Sequence, residues 1–176
     1  MTFHATQLLE QRPMPLSLSR ERRSAGFNVN RSTLKAPADT QRDTSEAMSQ
    51  ENVAVVLRSI QAFEHDVEAF LSILDPDVEW YPIEEGHILS RGHEAAVRVR
   101  RSWLENWEGH QIDVEEMKDG ADSVVACLHL TGRGVRSGVE VDLRVYQHFK
   151  LRDGKIVYLY EYADRGEALE AAGVAG

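Results

Sequence analysis

Two polar side chains interrupt an apolar strand face near the C-terminus, and their chemistry suits proton transfer. Between Val139 and Leu151 the odd-numbered positions are apolar except for Gln147, and the even-numbered positions are polar or aromatic. Since successive strand side chains point to opposite faces, the odd positions form the face that packs on the core. The next strand, Lys155–Tyr162, contributes Glu161. A carboxyl group in an apolar pocket can carry a proton, and an adjacent amide can orient a ligand carbonyl.

The turn between these two strands decides whether Glu161 faces inward beside Gln147. A three-residue loop, Arg152–Gly154, would pair Gln147 with Leu159 and turn Glu161 inward. A two-residue loop would shift the register by one and turn the three tyrosines of the last strand inward instead. We favour the three-residue loop because a helix-facing surface needs branched apolar side chains more than phenols.

Glu161 and Gln147 are therefore the catalytic candidates, with Glu161 as acid or base and Gln147 polarising a carbonyl. The alternative is that Glu161 lies half-solvated at the rim, or is bound by a backbone amide or an arginine. Without such compensation, burial should raise the pKa of Glu161. Glu161→Gln should then leave stability unchanged or slightly improved, because an uncompensated buried carboxylate costs free energy.

Large apolar side chains on several elements are expected to enclose these two groups. Trp103 and Trp107 are four residues apart on a predicted helix, and Trp80 follows Val78 on the inner face of a short strand. These tryptophans suit two roles, packing in the core and stacking on a flat ligand, and both roles can hold at once. The predicted pocket-lining residues are Trp80, Tyr81, Trp103, Leu128, Val145, Phe149 and Leu159.

The elements that must position this pocket form a segregated α+β pattern. Helical periodicity begins after Ser49, a plausible N-cap, and a second short helix ends before Pro76. A strand over Val78–Tyr81 precedes a third helix, Gly92–Gly109. Four strands and a short C-terminal helix follow. Helices followed by a long meander predict an antiparallel sheet packed on N-terminal helices.

A change of composition near Met48 predicts the domain boundary. Residues 1–47 contain 7 Lys or Arg and 5 Asp or Glu, a net charge of +2, whereas the whole chain carries −9. That segment has three prolines and no sustained periodicity, which predicts a disordered leader. Residues 48–176 form the predicted domain, and Met48 as the biological start would explain the leader.

Charge, cysteine count and hydropathy exclude several function classes. A net charge of −9 is unfavourable for binding a nucleic acid backbone. No apolar stretch approaches the length of a membrane span, so no membrane partner is expected. Cys127 is the single cysteine, which excludes an internal disulfide framework and predicts a cytoplasmic setting.

Histidines and acidic residues outside the strand pair give no metal or cofactor signal. His87 and His93, with Glu84 and Glu85, lie in a predicted loop and lack the spacing of paired ligands on one helix face. His129 and His148 fall on the outer strand face, as does Cys127. We expect solvated or interface histidines there, no metal and no cofactor.

Five short segments resemble, in order and spacing, the polyketide-cyclase-like (SnoaL-like) branch of the nuclear transport factor 2-like superfamily. They are Asp75–Trp80, Gly92–Ala95, Gly132–Val141, Leu151–Ile156 and Tyr162–Gly173. The resemblance implies a strongly curved sheet wrapped around helices, a cone with one open pocket. It also implies a homodimer through the outer sheet face, where Tyr146, His148, Tyr158 and Tyr160 would lie.

What the resemblance implies for chemistry depends on single positions. The catalytic groups of ketosteroid isomerases fall at Tyr81 or Pro82, Ser59 and Gln147, so that chemistry is missing. The Asp/Arg/Asp set of limonene epoxide hydrolases is not found on inward positions. The acidic residue that polyketide-cyclase relatives carry on the last strand matches Glu161 in position, and their histidine partner falls near Gln147.

These observations predict a domain that binds a small hydrophobic metabolite, possessing or lacking catalytic activity. The alternatives are an acid/base enzyme of isomerase, cyclase or dehydratase type that uses Glu161, and a dimerising interaction module. Binding is favoured over catalysis because no second ionisable group is predicted beside Glu161, whereas acid/base reactions need a donor as well as a base.

Overall fold

Helices precede a long sheet in the computed structural model of the protein, which describes residues 38–175. The helices are α1 (Ala38–His65), α2 (Val67–Ile73), α3 (Gly92–Asn106) and α4 (Arg165–Ala172). The strands are β1 (Leu74–Tyr81), β2 (Ser90–Arg91), β3 (Trp107–Asp119), β4 (Ser123–Gly134), β5 (Glu140–Arg152) and β6 (Lys155–Tyr162). A single 3₁₀ turn, Ile83–Glu85, follows β1.

The six strands form one curved, unclosed sheet in the order β2-β1-β6-β5-β4-β3. The predicted α+β class is confirmed, and helices α1, α2 and α3 pack on the inner face of the sheet. The sheet is mixed rather than purely antiparallel, because β1 pairs with β6 in parallel. That pairing is possible because α3 and the β3–β5 meander separate β1 from β6 in the chain, and parallel neighbours require such a long crossover.

Several element boundaries differ from those predicted, and β1 begins at Leu74 rather than at Val78. Helix α1 begins at Ala38, so the predicted N-cap at Ser49 is wrong, and the Ser49 hydroxyl donates to the carboxylate of Asp119 instead. Residues 38–47 contain neither proline nor glycine and can extend a helix without an apolar stripe. The rest of the predicted leader, residues 1–37, lies outside the described residues. Helix α3 ends at Asn106, so Trp107 opens a strand rather than closing a helix.

The β5–β6 hairpin reaches the predicted inner face by a different route. Asp153 (φ 53°) and Gly154 (φ 71°) are both left-handed, the signature of a two-residue turn, and the predicted three-residue loop is wrong. The register shifts at Val157, an extra residue that has no partner on β5. This bulge shifts the pairing of all later residues of β6 by one position, so each of them faces the opposite side from the one that an unbulged two-residue hairpin would give. As a result Glu161 faces inward and pairs with Gln147, whereas the predicted partner of Gln147 was Leu159.

The outer face of the sheet is partly covered by the C-terminal helix. Helix α4 is capped by Asp164, whose carboxylate accepts from the backbone N–H of Glu167 at 3.0 Å, and Gly173 ends it in the left-handed conformation. Its Ala168 and Leu169 pack on Val125 of β4.

His148 and Cys127 lie on this outer face as predicted, but neither is open to solvent. The side chain of His148 is 2 % exposed, with the ring of Tyr158 packed edge-on at 5.6 Å between centroids. The expectation of a solvated histidine is therefore wrong, because neighbouring side chains cover it within one chain. Cys127 is also buried, and its thiol lies 3.7 Å from the Glu115 carboxylate.

Over residues 38–175, no helix combines the length and apolar character needed to cross a membrane.

Candidate functional site

A cavity of about 220 Å³ lies between the inner face of the sheet and helices α1–α3. Helices, strands and the 3₁₀ turn all contribute to its wall, so it forms only when the whole domain is folded. Its aromatic lining comes from Phe63, Phe70, Trp80, Trp103, Trp107 and Phe149. All three tryptophans of the chain are in this set.

The aromatic rings of the cavity wall support one another through edge-to-face contacts. The ring of Phe63 meets Phe70 at 5.6 Å, Trp103 at 5.5 Å and Trp80 at 6.2 Å between centroids. Such arrangements place the positive edge of one ring against the negative face of another. The wall is therefore held in a fixed shape before any ligand arrives.

Glu161 lies at the cavity with its carboxyl group almost fully enclosed, the residue being 8 % exposed. Oε1 accepts from the indole Nε1 of Trp80 at 3.1 Å and from Nε2 of Gln147 at 3.1 Å. Oε2 accepts from the backbone N–H of Ile83 at 3.0 Å. β6, β5, β1 and the 3₁₀ turn thus converge on one carboxyl group.

Burial raises the pKa of Glu161 above the ordinary glutamate value, and the three donors hold back part of that rise. The premise that this carboxylate is uncompensated is wrong, because each oxygen has at least one donor. The expectation that Glu161→Gln leaves stability unchanged loses its basis for the same reason, since an amide offers one acceptor oxygen where the carboxyl group offers two.

Glu84, on the 3₁₀ turn, is a second carboxyl group that lines the cavity, and unlike Glu161 it is also exposed to solvent. Its Oε1 accepts from the indole Nε1 of Trp107 at 3.0 Å. Burial raises the pKa of Glu84, the Trp107 hydrogen bond opposes that rise, and the nearby charges of Glu161 and Glu85 add to it. Two carboxyl groups that influence one another therefore share the site.

His110, near the start of β3, also lines the cavity, and its ring contacts the carboxyl group of Glu64 of α1. Its Nε2 lies 3.0 Å from Oε1 of Glu64. Its Nδ1 lies 3.2 Å from the carbonyl oxygen of Trp107, which can only accept, so Nδ1 carries a proton. Both ring nitrogens are thus occupied by protein partners.

His87 fixes the loop that carries Glu84. Its backbone is left-handed, with φ 60°, a conformation that costs a residue with a Cβ about 1 kcal/mol. Its Nε2 donates to the backbone carbonyl of Glu161 at 2.7 Å, and its ring stacks on Tyr160 at 4.5 Å. These contacts offset the strain and position the turn against β6. Among residues 38–175, no group of three or more His, Cys, Asp or Glu side chains has metal-site geometry.

The structure brings most of the predicted site residues together. Glu161, Gln147 and six of the seven predicted lining residues border the cavity: Trp80, Trp103, Leu128, Val145, Phe149 and Leu159. Tyr81 does not, and its placement in the pocket is corrected. It follows the inward Trp80 on β1 and therefore points to the other face, where its ring contacts Tyr158 and Tyr160.

Sequence reasoning considered Glu84 only as a metal ligand and missed His110 and its partner Glu64. Glu84 lies in the predicted loop without periodicity, and Glu64 was in no candidate set. His110 directly follows Gly109, the predicted end of the third helix. No local signal joins these residues, because helix α1, the 3₁₀ turn and β3 meet only in the folded chain.

The sequence profile of the SnoaL-like domain matches residues 56–159, more than half of the chain. The protein belongs to the SnoaL-like family. This family assignment confirms the resemblance found in the sequence, and the matched range contains all of the cavity residues except Glu161. No functionally curated protein sequence matches the chain.

Solved structures show the same fold at low sequence identity. An NTF2-like protein from Burkholderia pseudomallei is 20 % identical with a TM-score of 0.58, covering 68 % of this chain and 95 % of its own. A SnoaL-like protein from Jannaschia sp. is 20 % identical with a TM-score of 0.59, covering 73 % and 95 %. TerC, crystallised with polyporic acid, is 24 % identical with a TM-score of 0.58, covering 70 % and 98 %.

Proposed function

We propose that this SnoaL-like protein binds a small hydrophobic, ring-containing metabolite in the cavity. The observation that carries the proposal is an enclosed aromatic wall interrupted by a few converging polar groups, a combination typical of small-molecule sites. An apolar protein cavity of about 150 Å³ holds benzene. The volume of about 220 Å³ here therefore suits a molecule of one or two rings.

Intrinsic tryptophan fluorescence tests this proposal directly, because all three tryptophans line the cavity. The neutral probe 2-naphthalenemethanol should change the emission saturably. Val145→Phe adds volume at a lining position and should abolish the change. Val139→Phe is the matched control, since Val139 is 60 % exposed and does not line the cavity. Equal responses of the two variants, or no saturable response of the parent protein, would overturn the proposal.

A second candidate function, acid/base catalysis, is favoured by the presence of Glu84 beside Glu161. Binding was preferred over catalysis in the sequence because no second ionisable group was predicted there. Two carboxyl groups with raised pKa values now border one apolar cavity. One can take a proton while the other gives one, as isomerisation, cyclisation and dehydration require. One N–H of the Gln147 amide donates to Glu161, and its second N–H is the donor proposed for a ligand carbonyl.

Deuterium exchange into 2-tetralone, a bicyclic ketone with acidic C–H bonds, measures this activity. Transfer of its α-proton to a carboxylate gives the enolate, and return of a solvent deuteron labels the ketone. NMR in D₂O should show faster exchange with the parent protein than with buffer, and a loss of that rate in Glu161→Gln. Glu170→Gln, on the exposed side of α4, is the control. A parent rate equal to buffer would contradict the proposal.

We further propose that two copies of the chain associate through the outer face of the sheet. Tyr158 and Tyr160 lie there, half-buried and stacked, and combine aromatic area with hydrogen-bonding tips. His148 is removed from the expected contacts because its own chain buries it. Sedimentation at micromolar concentration should give about twice 19.9 kDa. A monomer under those conditions, or an unchanged dimer in Tyr160→Lys, would overturn the proposal.

A further inference from the structure

The ionisable side chains that border the cavity are mostly acidic. Three carboxyl groups line it, from Glu84, Glu85 and Glu161. No lysine or arginine is found among the lining residues within 38–175. The one basic side chain is His110, and its Nε2 is taken by the Glu64 carboxylate at 3.0 Å. The cavity is therefore a site of negative potential enclosed by apolar walls, which focus that potential.

The two main carboxyl groups differ in how fully the protein satisfies them. Glu161 accepts from three donors that use both of its oxygens. Glu84 accepts from the Trp107 indole at Oε1, and within the described residues no other donor reaches it. Since a carboxylate oxygen can accept two hydrogen bonds, Glu84 retains capacity for a donor brought by a ligand.

The aromatic wall adds to the preference for positive charge. Trp103, Trp107 and Phe63 line the same cavity as Glu84. The faces of such rings attract cations through the ring quadrupole, most strongly for tryptophan and most strongly where water is excluded. A carboxylate ligand would meet like charges and ring faces of the same sign, and no described lining lysine or arginine would pair with it.

We propose that the ligand of this cavity is a primary amine in its ammonium form, attached to an apolar ring system, with Glu84 as the group that receives the ammonium. The inference rests on the proposed binding function and specifies the class of ligand. The ring system occupies the aromatic part of the cavity, while the ammonium donates to Glu84 and Glu161 holds the 3₁₀ turn in place through the N–H of Ile83.

Three probes of similar shape and different charge test the inference on the full chain. They are 2-naphthylmethylamine, 2-naphthalenemethanol and 2-naphthoic acid, titrated at neutral pH against tryptophan fluorescence. The amine should bind about tenfold more tightly than the alcohol, a gain between that of an exposed and that of a desolvated cation–π contact, because the receiving residue Glu84 is itself solvent-exposed. The acid should bind more weakly than the alcohol.

Glu84→Gln should remove the preference for the amine over the alcohol. Glu170→Gln changes the net charge equally at an exposed position on α4 and should keep the preference. An alcohol that binds as tightly as the amine, or an acid that binds more tightly than either, would overturn the inference alone. Failure of all three probes would overturn it together with the proposed binding function.

Discussion

Buried polar side chains are hydrogen-bonded differently on the inner and outer faces of the same strands. On the inner face, Glu161 is enclosed and each carboxyl oxygen has a hydrogen-bond donor. On the outer face, His148 is equally enclosed, yet its Nδ1 has no hydrogen-bond partner among the described residues. Its Nε2 meets the hydroxyl of Ser123 at 3.3 Å. Burial alone therefore does not show whether a polar side chain is satisfied. Its hydrogen-bond partners show that.

The outer face differs from the inner one in a second respect, because its ion pairs are exposed. Arg144 donates to both oxygens of Glu115, at 2.6 and 2.7 Å, and Arg165 does the same for Glu116. These contacts lower the pKa of each glutamate. Solvent and salt screen such pairs, so the surface network contributes less to the fold than the three uncharged donors around Glu161.

The largest expected effect on stability comes from exchanging the residues of β6 that face inward with those that face outward. Inserting one alanine between Tyr158 and Leu159 would turn Leu159 and Glu161 outward and Tyr160 inward. We expect loss of the cooperative thermal transition. Deleting Val157 should be tolerated, because Ile156 and Tyr158 already pair with consecutive residues, Leu151 and Lys150, and only the bulge is removed.

Circular dichroism melting of both variants checks this prediction. A cooperative transition in the insertion variant would mean that β6 absorbs a second bulge, and that the face assignment is less firmly fixed than the structure indicates.

The next largest effect is acid destabilisation at His148. Burial lowers its pKa from 6.5 to about 4, and the charge of Lys150 acts in the same direction while Asp122 opposes it. The unfolded chain therefore binds a proton at a higher pH than the folded one, and stability falls as the pH decreases from 6.5 towards 4. The loss over that range should reach about 3 kcal/mol.

Urea unfolding of the parent protein and His148→Leu over this pH range measures the effect. The variant should lose the His148 share of the pH dependence, whereas His65→Gln, at an exposed histidine, should retain it. Parallel curves for the parent and His148→Leu would show that folding does not lower the pKa of His148.

Glu161→Gln should lower the free energy of unfolding by about 2 kcal/mol, the cost of leaving a buried donor without its acceptor. The amide can serve either the Ile83 N–H or the Trp80 and Gln147 donors, but not both sets. Chemical unfolding at neutral pH is the measurement, with Glu170→Gln as control. Unchanged or increased stability would mean that desolvation of the carboxyl group outweighs its hydrogen bonds.

The smallest expected effect on stability comes from removing the ion pair between Arg144 and Glu115 on the outer face. Arg144→Gln removes both hydrogen bonds to Glu115, but the pair is exposed and screened. We expect a small decrease in Tm at low ionic strength that vanishes in about 1 M salt. A decrease as large as that of Glu161→Gln, persisting in salt, would remove the distinction drawn between the two faces.

The sequence by itself determined the order of the helices and of every strand except the two-residue β2, the inner face of β5 and the family. These follow from short-range patterns, above all the alternation of apolar and polar residues along Val139–Leu151. Such signals depend on neighbours two to four residues apart, whose relation is fixed by backbone geometry. Alternation also places Tyr81 outside the cavity, although it had been predicted inside.

Only the tertiary structure decided what surrounds Glu161 and what shares its cavity. Trp80 and Ile83 lie 81 and 78 positions away from it, and His110 meets Glu64 from another element. Val157 becomes a bulge only because β6 must form hydrogen bonds with β5 along one edge and also pack its apolar side chains into the core. Packing of distant elements sets these contacts, and no local periodicity encodes the distance between them.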